Sequence, residues 1–190
     1  KFCKIAEEDD ENDYFFIIDE INRGNLSKIF GELFMLIEKD KRGIELQLLY
    51  SDENFSVPAN VYIIGMMNTA DRSLAMLDYA LRRRFSFFTM KPGFNTPGFQ
   101  AYQDSLKNDA FNKLIACVKQ LNSKIAEDIS LGEGFCIGHS YFCGLTPETA
   151  NTQTLSSIVE YELIPLLKEY WFDEPAKIVD WSDRLRSAVK

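Results

Sequence analysis

Two short apolar runs in the first half of the chain have the composition of buried β-strands. They are Tyr14–Ile18 and Val61–Met67, and neither alternates polar with apolar residues. Continuous apolar runs of this length are typical of strands that are covered on both faces of a parallel sheet. We therefore expect both strands in the interior of an α/β layer, with Phe85–Met90 as a third strand.

The segments between these runs complete an α/β pattern. Apolar residues recur over 26–37 at the spacing of one helix face, and Asn25 precedes them as a helix cap. A hairpin is predicted from Glu45–Tyr50 and Asn54–Val57, before the second strand. Leu74–Leu81 is predicted to form a short helix.

The second half of the chain is predicted to be mainly helical. Stripes of apolar residues at helical spacing occur over 111–125, over 155–170 with a kink near Pro165, and over 175–189. A glycine-rich turn region, residues 132–144, separates the first two stripes. The change in pattern predicts two subdomains, an α/β part over 1–92 and a helical part over 93–190.

Composition and charge narrow the class of protein. Apolar residues make up 46% of the chain and charged residues 26%, which is the globular range. The net charge of −8 argues against a protein whose whole surface binds nucleic acid. The acidic run over 7–13 is expected to be a solvated loop that carries no packing. No apolar run approaches the roughly 18 residues of a membrane span, so we expect no membrane association.

The numbers and spacing of the cysteines and the histidine exclude further classes of protein and of catalytic or metal site. The four cysteines include no Cys-x-x-Cys pair, so we expect a reducing cytoplasm. A single histidine, His139, excludes most His-dependent catalytic triads and multi-histidine metal sites. Cys136, His139 and Cys143 could offer three zinc ligands, but a structural zinc site needs four. We expect His139 to be a hydrogen-bonded residue that packs the helical part.

The first candidate for chemistry is the pair of acids that ends the first strand. A buried strand that ends in Asp19-Glu20 has the arrangement of a Walker B motif. Asp19 could hold Mg²⁺, and Glu20 could polarise a water for attack on a γ-phosphate. The alternative is a strand that leaves the core through two solvated acids.

Polar residues also follow the second strand. Asn68 would lie beside the same acids, because ligands bind at the carboxyl ends of parallel strands, and it could orient an attacking water. Asp71 or Ser73 could instead serve only to cap the next helix.

Three consecutive arginines, Arg82, Arg83 and Arg84, precede the third predicted strand. They cannot all face the core, since helical spacing separates them by about 100° each. At least one is therefore expected to meet a phosphate or carboxylate of a partner. A nucleic-acid patch is the competing interpretation.

Three segments together resemble the McrB family, the AAA+ GTPase subunit of 5-methylcytosine-specific restriction systems. They are Phe16–Gly24, Met67–Ser73 and Ala80–Phe85, and the resemblance continues through Gly138–Phe142 and Pro165–Tyr170. It implies an α/β fold: the C-terminal part of a AAA+ (P-loop NTPase) parallel-sheet subdomain, followed by a mainly helical lid.

The resemblance implies catalytic roles at the strand ends. Asp19 is similar to the Walker B ligand of Mg²⁺, Glu20 to the catalytic glutamate and Asn68 to sensor 1. Cys136 stands where the family pattern suggests a basic sensor 2 residue.

It also implies roles at a subunit boundary. Asp71 and Arg72 belong to the signature motif, which shapes the nucleotide environment. Arg83 and Arg84 are similar to the arginine fingers that act on the nucleotide of an adjacent subunit.

The sequence contains no Walker A loop, because none of its glycines is followed by lysine. We therefore expect a C-terminal fragment of a longer protein, inactive by itself. Mg²⁺ with GTP, or with ATP, is expected to bind only in the complete protein, whose phosphate loop would complete the site.

The resulting functional expectation is a cytoplasmic AAA+ motor of a modification-dependent restriction system. Its expected partners are further copies in a ring, a hexamer by resemblance, a McrC-like nuclease subunit, and DNA bound through an N-terminal region. Hydrolysis would be coupled to DNA translocation and cleavage. The alternatives are an ATP-using protein remodeller of the MoxR or dynein-like kind, and a non-catalytic interaction domain.

Overall fold

The structure is a computed structural model that describes residues 1–49, 51–68, 70 and 82–190. The chain divides into two compact units, Lys1–Phe88 and Thr89–Lys190. The first unit contains a small parallel sheet and the second is helical. The α/β class with a helical second part is therefore confirmed. The predicted helix Leu74–Leu81 lies outside the described residues.

The two predicted core strands form a parallel pair. Strand β1 is Tyr14–Ile18, and it pairs in register with a later strand, Val61–Gly65, from Tyr14 opposite Val61 to Ile18 opposite Gly65. The pairing continues beyond the strands, because the Met66 N–H donates to the Ile18 carbonyl at 2.9 Å. The two chains therefore leave the sheet side by side at its carboxyl edge.

In the described part of this chain neither face of the sheet is fully covered, which corrects the prediction that both strands are buried on both faces. Phe15 and Ile17 on β1 are 54% and 59% exposed, and Tyr62 and Ile64 beside them are 47% and 43% exposed. The opposite face is only partly covered: Val61 and Tyr14 belong to a hydrophobic cluster, whereas Phe16 is 42% exposed. Apolar composition makes a strand suitable for burial, but only a second layer can cover it.

The predicted third strand, Phe85–Met90, is also wrong. These residues have no regular secondary structure, and Phe88 and Met90 are 88% and 87% exposed. A strand is stabilised by the hydrogen bonds of a neighbour. Within the described residues no strand pairs with this segment.

The predicted helix over 26–37 is divided in two. Helix α2 runs from Leu26 to Phe30, and a 3₁₀ helix follows over Gly31–Ile37. Gly31 has a φ of +50°, a left-handed conformation that interrupts the α-helix and that glycine adopts at little cost. The predicted cap is confirmed, since the Asn25 side chain accepts a hydrogen bond from the Lys28 N–H at 3.0 Å.

The predicted hairpin is present but shorter. Its antiparallel strands are β2, Leu46–Gln47, and β3, Asn54–Phe55. The Glu32 carboxylate accepts a hydrogen bond from the Leu49 N–H at 3.2 Å, so it contacts the hairpin turn. The strand Val61–Gly65 that follows is β4.

The acidic run over 7–13 agrees in part with the predicted solvated loop: residues 9–13 contain no helix or strand and all but Asp9 are exposed, whereas Glu7 and Glu8 end a helix that precedes the loop. Residues Phe2–Glu8 form helix α1, with Ala6 completely buried. The Asn60 side-chain amide donates to the carbonyls of Ala6, Asp9 and Asn12 at 2.8–2.9 Å. These bonds tie the acidic run to the residue that precedes β4.

The second unit is built around one long helix. Helix α3 spans Pro97–Leu106 and α4 spans Asp109–Glu127. The predicted stripe of α4 is confirmed in full, because all of its members are buried: Phe111, Leu114, Ile115, Val118, Leu121 and Ile125. A hydrophobic stripe at the helical period is a local property, so the sequence alone is enough to identify it.

The remaining helices pack on the same core. They are α5, Thr152–Ile158, α6, Ile164–Tyr170, and α7, Pro175–Ala188. A π-helical segment, Val159–Leu163, joins α5 to α6 and ends two residues before Pro165. Proline interrupts the regular hydrogen bonds of a helix, so this irregularity agrees with the predicted kink. Within the described residues no helix is both long enough and apolar enough to cross a lipid bilayer.

Candidate functional site

The two acids of the predicted Walker B motif lie directly after β1. Asp19 and Glu20 are both exposed. The Glu20 N–H donates to Asp19 Oδ1 at 2.8 Å, and a Glu20 carboxylate oxygen lies 2.8 Å from Arg23 Nε. Both carboxylates therefore stand at the carboxyl edge of the sheet, accessible to a ligand.

The backbone of Glu20 has an unusual conformation. Its φ of 49° and ψ of 45° lie in the left-handed region, which residues other than glycine rarely adopt. Such strain costs on the order of 1 kcal/mol and is concentrated at functional sites, where the surrounding structure maintains it. Here the next residue, Ile21, is buried, and its N–H donates to the Met66 carbonyl at 2.9 Å. The chain after β4 thus holds the turn that carries the two acids.

Asn68 lies at the same edge, three residues after the end of β4, and is exposed. Its side-chain oxygen accepts a hydrogen bond from the Ala70 N–H at 3.0 Å. The parallel pairing of the strands brings Asp19, Glu20 and Asn68 to one edge of the sheet, as the sequence predicts. Asp71 and Arg72, assigned to the signature motif, lie outside the described residues.

A small hydrophobic cluster lies beneath this edge. Its buried members are Ile21 and Leu26. Five partly buried residues pack on them, and three of these adjoin residues with a predicted role: Ile18, Met67 and Phe85, beside Phe30 and Phe34. Ile18 precedes Asp19, Met67 precedes Asn68, and Phe85 follows Arg84. The cluster therefore joins the acids, the asparagine and the arginine segment through apolar contacts.

The two arginines of the predicted finger pair, Arg83 and Arg84, differ in their exposure to solvent. Arg83 is exposed, as is Arg82. The Arg84 side chain is 18% exposed, forms an ion pair with the Glu38 carboxylate, and lies over the Phe34 ring at 4.2 Å from the ring centre. Sequence reasoning missed Glu38 and Phe34, because nothing in the local pattern distinguishes them from an ordinary helix surface. The role of Arg83 and Arg84 as fingers stays a prediction.

The residues weighed as zinc ligands have protein partners instead. His139 Nδ1 accepts a hydrogen bond from the Gly93 N–H at 2.9 Å, and the Cys143 thiol donates to the His139 carbonyl at 3.3 Å. The Cys136 thiol donates to the Asn122 carbonyl at 3.5 Å, and burial raises its pKa. No cluster of three or more metal-binding side chains occurs in the part of the chain that the structure describes. The packing role predicted for His139 agrees with these contacts.

The donor set at the sheet edge fits Mg²⁺. This ion is usually held by one or two carboxylates together with water and substrate phosphates, rather than by a closed protein cage. Asp19 offers an exposed carboxylate for this purpose. A carboxylate at an open edge suits a metal that arrives with a nucleotide and its own water ligands.

Comparisons with known proteins agree with both halves of the fold. Residues 4–85 match the family model of the AAA domain, dynein-related subfamily. Residues 113–179 match the model of the McrB alpha-helical lid domain. These matches cover the sheet with its edge acids and most of the helical unit.

Two curated relatives are restriction enzyme components. The type IV methyl-directed restriction enzyme EcoKMcrB subunit of Escherichia coli K12 is 53% identical over an alignment of 194 positions that covers 97% of this chain. The type II restriction enzyme BsuMI component YdiS of Bacillus subtilis 168 is 29% identical over an alignment of 143 positions that covers 64% of this chain. In each case the match spans 42% of the relative's length.

Proposed function

The chain is a McrB-like protein of the AAA class, and we propose that it belongs to the GTP-hydrolysing motor subunit of a modification-dependent DNA restriction system. The observation that carries the proposal is the position of Asp19, Glu20 and Asn68 at one edge of a parallel sheet. A left-handed backbone at Glu20, held by the chain after β4, supports a functional rather than an incidental acid.

Each edge residue then has a distinct role. Asp19 would hold Mg²⁺ that accompanies the nucleotide, either directly or through water. Glu20 would accept a proton from the attacking water, and the Asn68 amide would orient that water. The bound Mg²⁺ supplies charge neutralisation at the phosphates.

The remaining parts of the site would come from outside the described residues or from other subunits. The phosphate loop is expected in the length of the relatives that this chain does not cover. Asp71 and Arg72 would shape the nucleotide environment, and Arg83 and Arg84 would serve the nucleotide of an adjacent subunit. This arrangement requires a ring of subunits, for which we propose a hexamer.

The same proposal includes partners. We expect a McrC-like nuclease subunit and DNA, with hydrolysis coupled to translocation and cleavage. The names of both relatives describe restriction components, which supports this assignment. We propose a cytoplasmic location, and the four unpaired cysteines are compatible with a reducing compartment.

A second candidate is an ATP-using remodeller of proteins. It is favoured by the dynein-related AAA model, which matches residues 4–85. The two candidates differ in nucleotide and in substrate. A restriction motor should prefer GTP and respond to modified DNA, whereas a remodeller should use ATP and ignore DNA.

The test uses the full-length protein with substitutions at the two acids. Glu20→Gln should preserve nucleotide binding and lower the rate of hydrolysis by about 10²–10⁴, the usual loss of a general base. Asp19→Asn should instead weaken Mg²⁺-dependent binding, because it removes charge from the metal's surroundings. Hydrolysis is measured as phosphate release with GTP and with ATP. Nucleotide binding is measured by calorimetry with a non-hydrolysable analogue.

Controls make the result specific to this edge. Glu53→Gln changes an exposed acid of the hairpin and should leave hydrolysis unchanged. The 190-residue chain alone, without a Walker A sequence, should show no turnover. Hydrolysis at the normal rate by Glu20→Gln would show that Glu20 is a solvated strand-end acid and would overturn the proposal.

A further inference from the structure

Glu20 is joined to Arg23, a residue that has no role in the proposed reaction. Arg23 Nε lies 2.8 Å from Glu20 Oε2, and the two side chains are about half exposed, at 53% and 49%. The backbone makes a second link, since the Arg23 N–H donates to the Glu20 carbonyl at 2.8 Å. Both the backbone and the carboxylate of Glu20 are therefore tied to the short 3₁₀ turn Ile21–Arg23.

The backbone of this turn is fixed, but it does not by itself fix the direction of the Glu20 side chain. Ile21 is buried, and its N–H donates to the Met66 carbonyl at 2.9 Å, so the turn is anchored to the chain after β4. A glutamate side chain has several rotatable bonds and keeps its rotamer freedom unless another group holds its carboxylate. In the part of the chain that the structure describes, Arg23 is the only ion-pair partner of that carboxylate.

Arg23 has two opposing effects on a general base, and their sizes differ. A cation beside a carboxylate makes it a weaker proton acceptor, but in an exposed pair the interaction is small and corresponds to about fivefold in rate at most. Orientation has the larger effect, because a catalytic group displaced by about 1 Å can lose about 10²-fold in rate. The net effect of Arg23 on hydrolysis is therefore expected to be favourable.

We infer that Arg23 is a positioning residue, which holds the Glu20 carboxylate of its own subunit in the direction from which it accepts the proton of the attacking water. This inference rests on the proposed function, because it assigns a second residue to the general base. Arg23 acts through Glu20 and contacts neither the nucleotide nor the metal.

Substitutions of Arg23 in the full-length protein give the first test. Arg23→Ala should lower kcat by about 10–10²-fold and leave KM for the nucleotide unchanged, because the base is misdirected while the binding groups remain. Arg23→Lys should keep most of the rate, since the contact joins one nitrogen to one oxygen and an ammonium can supply it. The matched control is Lys124→Ala, which removes an exposed ion pair of the same spacing, with Glu127, and should change neither constant.

A double substitution shows whether Arg23 acts through Glu20. Residues that act as one unit are not additive, so Arg23→Ala should cause no further loss of rate once Glu20→Gln has removed the base. A residue that contacts a phosphate would instead lower the rate by the same factor in both backgrounds. A full second loss in the double variant would therefore overturn the inference.

Mixed assemblies distinguish an action within one subunit from an action on its neighbour. Arg23→Ala and Glu20→Gln each impair the base of their own subunit, so a mixture of the two variants should hydrolyse no faster than the sum of its parts. If Arg23 served the nucleotide of an adjacent subunit, a Glu20→Gln subunit could supply it to an Arg23→Ala neighbour. A rate above the sum, with mixed assemblies confirmed, would overturn the inference.

Two measurements do not depend on hydrolysis. Calorimetric binding of a non-hydrolysable analogue with Mg²⁺ should be the same for Arg23→Ala and wild type. Their melting temperatures should differ by about 3 °C or less, because an exposed pair contributes little to stability. Weaker binding would make Arg23 a binding residue, and a larger fall in melting temperature would make it a residue of the fold, so either result would overturn the inference.

Failure of the inference and failure of the proposed function have different signatures. If Glu20→Gln is inactive but Arg23→Ala hydrolyses nucleotide at or above the normal rate, the positioning role is wrong and the general base stands. If Glu20→Gln hydrolyses nucleotide normally, the proposed function fails, and the role of Arg23 fails with it.

Discussion

The helical unit depends on one carboxylate that joins three helices, and this allows a quantitative prediction. Asp128 follows α4, and its side chain is 10% exposed. Its Oδ2 accepts hydrogen bonds from Trp171 Nε1 at 2.9 Å, after α6, and from Lys177 Nζ at 3.1 Å, in α7. Its Oδ1 accepts from the Ser130 N–H at 2.8 Å and the Ser130 hydroxyl at 2.6 Å. Hydrogen bonds from Ser130, and then from Trp171, hold the pKa of Asp128 well below its usual range.

The substitution Asp128→Asn keeps the shape and removes half of the acceptors. An amide has one oxygen and one NH₂ group, so in either orientation the NH₂ group faces donors. Hydrogen bonds to a charged group contribute about 1.5–3 kcal/mol each, and partial rearrangement brings the expected loss to about 3 kcal/mol. For a chain of this size that corresponds to a fall of about 6–12 °C in melting temperature.

The sign of the pH dependence follows from the lowered pKa. A carboxylate with a lowered pKa stabilises the folded state above its unfolded pKa, about 3.9, and loses that contribution as the pH falls through the folded pKa. The asparagine has no such contribution. The difference between wild type and Asp128→Asn should therefore be constant between about pH 5 and 7 and should narrow below about pH 4.

The test is thermal unfolding at several pH values. Tryptophan fluorescence and circular dichroism monitor the transition, and the difference in melting temperature between the two proteins is compared across pH. The matched control is Asp173→Asn, an exposed aspartate in the turn between α6 and α7, which should melt like the wild type. Equal melting temperatures for Asp128→Asn and wild type at pH 7 would refute the reasoning. A difference that persists unchanged at pH 2 would show that charge is not its cause.

Two further substitutions test the helical unit. The Asn122 amide donates to the Ile137 carbonyl at 2.9 Å and accepts from the Ile137 N–H at 2.7 Å, so Asn122→Ala should cost about 2 kcal/mol in urea unfolding. Asn112→Ala, on an exposed part of the same helix, should cost much less. Gly93→Ala would place a Cβ 3.0 Å from the His139 ring and should destabilise the unit by about 1–3 kcal/mol. Gly98→Ala, with open space around its Cβ position, should be neutral or stabilising, and equal effects at the two glycines would contradict the crowding at His139.

Local sequence patterns were sufficient to predict the structure wherever that structure depends on residues that are neighbours in sequence. The buried stripe from Phe111 to Ile125 and the Asn25 cap are set by residues within a turn or two of each other. The strands Tyr14–Ile18 and Val61–Gly65 follow from apolar runs, and their shared direction brings Asp19 and Asn68 to one edge. The position of the candidate site could therefore be inferred before any contact was known.

The tertiary structure decided what depends on distant partners. Phe15 and Ile17 have the composition of a buried strand, yet 54% and 59% of their surfaces are exposed, because burial requires a second layer. Phe85–Met90 has strand composition without a strand beside it in the described residues, and strand hydrogen bonds come from a neighbour.

The roles of the charged residues also depend on contacts between residues that are distant in sequence. Three consecutive arginines are equivalent in the sequence, and only folding places Glu38 and Phe34 against Arg84. Asp128 has no motif around it, but it lies where three helices converge. Sequence alone determined the helical periodicity and the family motifs, because both are properties of residues close together along the chain. Exposed faces, ion pairs and shared acceptors depend on residues far apart in sequence, so only the tertiary structure could decide them.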